Sequence, residues 1–148
     1  MSGYNSKPLP PARAVSAPEG WKPAEQFDPF EAFLGPYFER KRDGAREFSF
    51  LADDRHSNAQ GAVHDGALLT FADAALGYTL WDATERAPCV TVSQHSEFIA
   101  AAQAGDLVTC LPALVHKTSD VVFIRGDFLV GTKIIFTVSA VWRIWPKA

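Results

Sequence analysis

Hydrophobic and polar positions change their spacing several times along the first third of the chain. Residues 1–20 show no period and are rich in proline, which predicts a flexible N-terminal arm over residues 1–28. The sequence Asp28-Pro29-Phe30-Glu31 combines an N-cap residue with proline at the first helical position, so a short helix is predicted over 29–34. Two segments with strand-like alternation, 37–41 and 46–52, then flank Asp43-Gly44. This arrangement is typical of a β-hairpin.

A long apolar segment follows over residues 66–81. Its few polar or small interruptions, which include Thr70, Asp73 and Gly77, recur at helical spacing, so the segment is predicted to be a helix. Because this helix is apolar on nearly all sides, it must be buried. Asp73 is the acid within it, and a carboxylate in such surroundings is either paired or chemically active.

After Pro88 the pattern becomes typical of strands. The segments 89–99, 107–116, 121–130 and 133–145 are separated by short links, and they predict four strands in an antiparallel meander. A hairpin, one long helix and four strands predict an α+β fold rather than repeated βαβ units. We expect a curved antiparallel sheet wrapped around one central helix, in a single domain over residues 29–148.

Composition limits the compartments and partners that this protein can have. The 148 residues are 47% hydrophobic, enough for one domain with a substantial core. A net charge of -3 argues against nucleic acid or an anionic membrane as a partner. Cys89 and Cys110 have no redox or metal spacing, and no apolar run resembles a signal peptide or membrane span. These features favour a cytoplasmic protein without a metal.

A polar motif leads into the predicted central helix. Asn58, His64, Gly66 and Asp73, followed by Thr91, occur at a spacing that resembles the hotdog-fold acyl-CoA thioesterases of the phenylacetate-pathway and 4-hydroxybenzoyl-CoA type. The likeness extends over residues 37–143. The resemblance implies a hotdog fold, hydrolysis of an acyl-CoA to a free acid and CoA without a further cofactor, and self-association as a dimer or tetramer.

The resemblance also implies roles for individual residues. Asn58 supports polarisation of the thioester carbonyl, Asp73 activates water or attacks directly, and Thr91 positions the water. The backbone N–H groups near Asp65 and Gly66 are natural donors to the carbonyl oxygen, because the first N–H groups of a helix have no partner inside it.

Each of these residues could instead have a purely structural role. Asn58 could close the loop before Gly61 as an Asx turn, and Thr91 could be an ordinary strand residue. His64 is expected to organise the loop and the helix, with a role as general base as the alternative. Burial should raise the pKa of Asp73, which suits a base acting near neutrality.

The spacing along the helix favours a site shared between subunits. Gly66 and Asp73 are seven residues apart, roughly 10 Å along a helix, too far to act on opposite faces of one carbonyl group. One subunit would then supply the donors and another the acid. We therefore expect a two-fold dimer with antiparallel central helices.

Asp65 departs from the pattern of the resembling family, in which His-Gly-Gly is usual at this point. We expect Asp65 to cap the helix with its side chain turned away and its N–H still available to bind the substrate. Alternatively, Asp65 shares the acid–base work, or it weakens hydrolysis and leaves a non-catalytic acyl-CoA-binding protein. A hotdog hydratase or dehydratase that pairs His64 with Asp73 is a further alternative.

Overall fold

The computed structural model of the chain describes residues 14–25 and 28–145. In chain order its elements are β1 (Lys22–Pro23), α1 (Pro29–Leu34), β2 (Phe38–Arg42), β3 (Ala45–Leu51), α2 (Asp65–Ala83), β4 (Cys89–Phe98), β5 (Leu107–Cys110), β6 (Ala113–Lys117), β7 (Val121–Val130) and β8 (Lys133–Ile144). The strands in this described part form one antiparallel sheet, and α2 packs against it. The predicted α+β class is confirmed. No helix in these residues is long and apolar enough to span a membrane.

The order of the strands differs from the predicted meander. The order is β1-β2-β3-β5-β7-β8-β4, with β6 paired to β7 beside this path. β4 therefore pairs with β8 rather than with β5, and β5 lies between β3 and β7. The link over 99–106 allows this crossing because it passes the start of α2, where the N–H of Val63 donates to the carbonyl of Ala102 at 2.8 Å.

The predicted strand over 107–116 is divided into β5 and β6. Leu111 and Pro112 separate the two strands, and proline has no N–H for a sheet ladder. β5 continues the sheet beyond β3, whereas β6, among the described residues, pairs only with β7. The break at Leu111 and Pro112 thus turns one predicted strand into two strands, which join different parts of the sheet.

The apolar segment predicted as a buried helix is α2, which extends slightly beyond the predicted 66–81 at both ends. Phe71 and Leu76 are at most 1% exposed, and Phe71 packs edge-on against Phe128 with ring centroids 5.6 Å apart. Gly126 on β7 lies where a Cβ would come within 2.7 Å of Cys110 Sγ. A glycine at this position lets β5, β7 and α2 pack closely.

The predicted hairpin is confirmed as β2 and β3. Asp43 and Gly44 at its turn have φ of 50° and 80°, the left-handed backbone that two-residue hairpin turns require. The strands pair from Phe38 opposite Ser49 to Arg42 opposite Ala45.

The N-terminal boundary of the folded domain lies earlier than predicted. β1 pairs with β2, and Trp21 is buried beneath the Arg40 guanidinium, 4.2 Å from its ring centroid. The predicted arm over 1–28 therefore extends too far along the chain. Packing against β2 fixes this segment, and its two-residue strand is too short to give a periodic signal. Residues 1–13 and 26–27 of the predicted arm lie outside the described residues.

Candidate active site

Asp73 and Thr91 meet beside the central helix. Asp73 lies in the middle of α2, and Thr91 on β4 donates its hydroxyl hydrogen bond to Asp73 Oδ1 at 2.9 Å. Burial raises the pKa of the Asp73 carboxyl, the hydrogen bond from Thr91 opposes this effect, and the negative charge of Asp28 adds to it. Asp73 is therefore a stronger base than an exposed aspartate, and it is held in a fixed orientation.

These two residues line a cavity of about 280 Å³. Its polar lining also includes Asp28, Glu31 and Tyr78, and Trp142 lines it from β8. The Trp142 Nε1 atom is buried and makes no hydrogen bond within the described part of the chain. A second cavity of about 780 Å³ shares Asp28, Glu31 and Asp73 with the first. The acids are therefore common to two adjoining spaces.

Glu31 is a member of this site that the sequence did not reveal. The Tyr78 hydroxyl donates to Glu31 Oε2 at 2.8 Å, and Asp28 Oδ1 accepts the Glu31 N–H at 2.9 Å. Burial raises the pKa of Glu31 to about 7, with the charges of Asp28 and Asp73 adding to the effect of burial and the Tyr78 hydrogen bond opposing it. An acid at the third position of a helix is also typical of a capped helix start. The sequence around α1 therefore explains Glu31 without any role in a site.

The aromatic residues near the motif divide between core and cavity. Phe71 belongs to the core, Tyr78 belongs both to the core and to the lining of the first cavity beside Asp73, and Trp81 lines that cavity. Phe98 is 45% exposed and lines a different cavity. The hydrogen bond from Tyr78 to the Glu31 carboxyl group gives this core residue a place in the site.

The start of α2 is capped by His64 rather than by Asp65. His64 Nδ1 accepts the N–H of Gly66 at 2.9 Å, and His64 has the extended backbone of an N-cap. A Cβ on Gly66 would lie 3.1 Å from this nitrogen, so glycine allows the ring to approach. The prediction that Asp65 caps the helix is wrong because the imidazole already binds this N–H. His64 thus organises the helix start, which is the structural role that was expected for it.

The predicted donors to the carbonyl oxygen are affected by this cap. Gly66 is predicted to offer its N–H, but that hydrogen atom is directed at His64 Nδ1. The Asp65 N–H makes no hydrogen bond within the residues that the structure describes. Asp65 itself is exposed at the first position of α2. The donor that stays available at this end is thus the Asp65 N–H.

Asn58 forms the Asx turn that was predicted as its structural role. Its Oδ1 accepts the N–H groups of Gln60 at 2.9 Å and Ala62 at 3.1 Å. Asn58 also lines a third cavity, of about 320 Å³, together with Asp65 and Phe98. The side-chain oxygen is engaged in the loop, and the amide nitrogen is the group that Asn58 could offer to a ligand.

Within one chain, the two halves of the motif face different cavities. Asn58 and Asp65 line the third cavity, whereas Asp73 and Thr91 line the first. In the described ranges 14–25 and 28–145, no group of three or more His, Cys, Asp or Glu side chains is placed to hold a metal ion.

Residues 60–133, half of the chain, match the family model of the thioesterase superfamily. The chain belongs to the thioesterase superfamily. Membership of this superfamily supports hydrolase activity on thioesters, and the Asp73–Thr91 pair falls within the matched residues.

Relatives of this thioesterase agree with the assignment. Putative esterase PA0474 of Pseudomonas aeruginosa is 29% identical over 133 residues, which cover 88% of this chain and 98% of that protein. The solved phenylacetic acid degradation-related protein of Ralstonia eutropha is 26% identical, with a TM-score of 0.70 over 81% of this chain and 92% of its own.

A more distant structure supports the fold alone. The PaaI protein of E. coli superimposes with a TM-score of 0.71 at 16% identity, covering 82% of this thioesterase and 87% of that chain. The hotdog fold implied by the sequence motif is confirmed.

Proposed function

We propose that this thioesterase hydrolyses an acyl-CoA to a free acid and CoA in the cytoplasm, with Asp73 as the reacting acid. The observation that carries the proposal is the hydrogen bond of 2.9 Å between Thr91 and Asp73 in the lining of a cavity. The acid comes from α2 and the hydroxyl group from β4, and folding brings the two side chains into contact. A base held by a hydroxyl group beside a cavity of this size has the arrangement needed to activate water.

The Thr91 hydroxyl fixes one oxygen of Asp73 and leaves the other to accept a proton from water or to attack the carbonyl carbon. Direct attack releases the thiol and leaves a mixed anhydride between Asp73 and the acyl group, and water that opens this anhydride at the Asp73 carbon places an oxygen atom in the Asp73 carboxyl group. After a single turnover in ¹⁸O-labelled water, ¹⁸O in Asp73 therefore identifies direct attack, because attack by water on the thioester labels the released acid alone.

The negative charge that develops on the carbonyl oxygen needs a donor, and we assign this role to the Asp65 N–H at the positive end of the α2 dipole. Asp65 and Asp73 are eight residues apart on α2, roughly 12 Å along the helix axis. The donor and the acid that act on one carbonyl therefore come from different subunits in this proposal. Asn58 would add its amide nitrogen to the donor side.

Self-association as a dimer or tetramer is supported by the exposure of β4. Within the described part of the chain, this strand pairs only with β8 and forms one edge of the sheet. Val90 and Val92 on β4 are 46% and 61% exposed, and an exposed apolar edge strand is a natural place for another chain to pair. Because Thr91 lies between these valines, a partner at this edge would lie beside the Asp73 site.

Release of free thiol from a panel of short, long and aromatic acyl-CoA substrates tests the proposal. We expect turnover by the unchanged protein and a loss of about 10²-fold or more in kcat for Asp73→Asn. Asp82→Asn is a matched control, because Asp82 lies on the same helix but pairs with Arg46 outside the cavities. Thermal stabilisation by acyl-CoA without turnover would instead indicate a binding protein, and dehydration of a 3-hydroxyacyl thioester would indicate a hydratase.

A further inference from the structure

Glu31 faces the same spaces as Asp73 but comes from a different element. Glu31 lies on α1, Asp73 lies on α2, and both residues line the first and second cavities. A reacting group that contacts Asp73 from either cavity is therefore also close to Glu31. Two carboxyl groups arranged in this way can act on opposite sides of one reaction.

A hydrogen bond holds the Glu31 side chain, and others hold the end of its helix. The Tyr78 hydroxyl binds Oε2 at 2.8 Å, which leaves Oε1 to carry a proton. Arg55 donates to the carbonyls of Phe33 at 3.2 Å and Gly35 at 2.9 Å, so the end of α1 is also fixed. This is the support that a group acting at a defined position requires.

Folding alone does not require an acid at position 31. A neutral acceptor could take the Tyr78 hydrogen bond equally well, whereas a buried carboxyl group resists ionisation. The pKa of Glu31 is raised to about 7 by burial and by the charges of Asp28 and Asp73. Glu31 can therefore hold a proton and release it at neutral pH, as an efficient general acid must.

The titratable or charged groups that surround Glu31 come from every neighbouring element. They are Asp28 at the start of α1, Tyr37 before β2, Asp73 and Tyr78 on α2, Cys89 on β4, and Arg55 and His56 between β3 and α2, which bind carbonyls at the end of α1. The pKa values of Tyr37, Tyr78 and the Cys89 thiol are raised, so these groups are neutral near pH 7. The titration of Glu31 itself falls at neutral pH, because burial and the charges of Asp28 and Asp73 raise its pKa to about 7.

We propose that Glu31 is a second catalytic carboxyl group, which donates a proton to the sulfur atom of the leaving thiol while Asp73 acts as the base. This assignment rests on the proposed thioester hydrolysis. It gives the two carboxyl groups opposite tasks in one turnover, a division that pairs of acids in different environments allow.

The proton and electron balance of the step is as follows. Asp73 takes a proton from water as the water oxygen bonds to the carbonyl carbon, and the carbonyl π electrons move to oxygen. When the carbonyl reforms, the C–S bond breaks, its electron pair stays on sulfur, and sulfur takes the proton of Glu31. The products are the carboxylic acid and the thiol. Transfer of the Asp73 proton to Glu31, through water in their shared cavities, restores both residues.

Varying the leaving group tests the assignment. The substrates are the acyl-CoA hydrolysed fastest by the unchanged protein and the thiophenol ester of the same acyl group. Thiophenolate is weakly basic and leaves without a proton, whereas the alkanethiolate of CoA is more basic and leaves more slowly. We expect Glu31→Gln to lower kcat/KM by about 10²-fold for the acyl-CoA and by less than about 3-fold for the thiophenol ester.

Two further variants and the pH profile complete this experiment. Glu31→Asp retains a proton donor and should partly restore the acyl-CoA activity. Glu25→Gln is the control, because Glu25 pairs with Arg86 away from the lining of these cavities and should behave as the unchanged protein. The activity of the unchanged protein should fall as the pH rises past about 7, the pKa of Glu31, and Glu31→Gln should lack this fall.

The results that would overturn the assignment are distinct from those that would overturn the reaction. An equal loss on both esters, or no loss on the acyl-CoA, would show that Glu31 does not protonate the leaving thiol. Absence of any hydrolysis by the unchanged protein would refute the proposed function and the role of Glu31 together.

Discussion

Glu31→Gln should stabilise the protein at alkaline pH and change its stability much less in acid. The pKa of Glu31 is raised by burial, and by Asp28 and Asp73, from 4.5 to about 7. The folded state therefore holds this proton more tightly than the unfolded state, and the stability that this difference contributes below pH 4.5 is lost as the pH rises towards 7. Glutamine carries no charge at any pH and can still accept the Tyr78 hydrogen bond.

The size of this effect follows from the two pKa values. One pKa unit corresponds to about 1.4 kcal/mol, so the change from 4.5 to about 7 is worth at most about 3.5 kcal/mol at alkaline pH. For a domain of 148 residues this corresponds to a difference in Tm of at most roughly 7 to 14 °C between the variant and the unchanged protein.

Urea unfolding of both proteins, followed by tryptophan fluorescence at about pH 5 and about pH 8.5, measures the two differences. We expect the variant to gain most of this stability at the higher pH and only a small part at about pH 5, which is just above the pKa of 4.5 in the unfolded state. A stability difference of the same size at both pH values would show that Glu31 is ionised in the folded protein throughout this range, and would refute the reasoning.

Three other substitutions test separate contacts. The hydrogen bond from Thr91 lowers the pKa of Asp73, so its loss in Thr91→Ala should raise that pKa and move the acidic limb of the kcat/KM profile to higher pH. Thr91→Ser should restore the original profile. His64→Ala should cost about 1 kcal/mol in urea unfolding through loss of the helix cap, whereas an equal loss for His64→Asn would contradict a capping role. Gly126→Ala should cost about 1 to 3 kcal/mol, because its Cβ meets Cys110 Sγ at 2.7 Å; Cys110→Ala should relieve part of this cost, and additive losses would count against the contact.

The sequence predicted the elements of this fold better than their arrangement. The hairpin and α2 were predictable because Asp43-Gly44 and the long apolar run act locally. The pairing of β4 with β8 is a long-range contact, whereas the prediction assumed that short links join neighbouring strands. The packing of Trp21 against Arg40 on β2 is also a long-range contact, which the irregular pattern of residues 1–20 could not predict.

The candidate site was predictable to the extent that its spacing resembles a known family. Asp73 and Thr91 were placed together by that resemblance, and the structure joins them by a hydrogen bond. The choice of His64 as the cap depends on a backbone conformation that no spacing reveals. Glu31 was missed because α1 brings it towards α2 only after folding, while its capping role was sufficient to explain it locally.

A subunit-mixing experiment tests the shared active site most directly. Asp65→Pro removes the Asp65 N–H, and proline is well tolerated at the first position of a helix; Asp65→Ala is the control that keeps the N–H. We expect the Asp65→Pro and Asp73→Asn proteins each to have little acyl-CoA thioesterase activity.

Unfolding the two proteins together in equal amounts and refolding them should restore about a quarter of the activity of the unchanged protein. Half of the randomly formed dimers would then be mixed, and each mixed dimer would hold one intact site in which Asp73 and the Asp65 N–H come from different subunits. No recovery in dimers that are shown to have mixed would contradict a site built from two subunits.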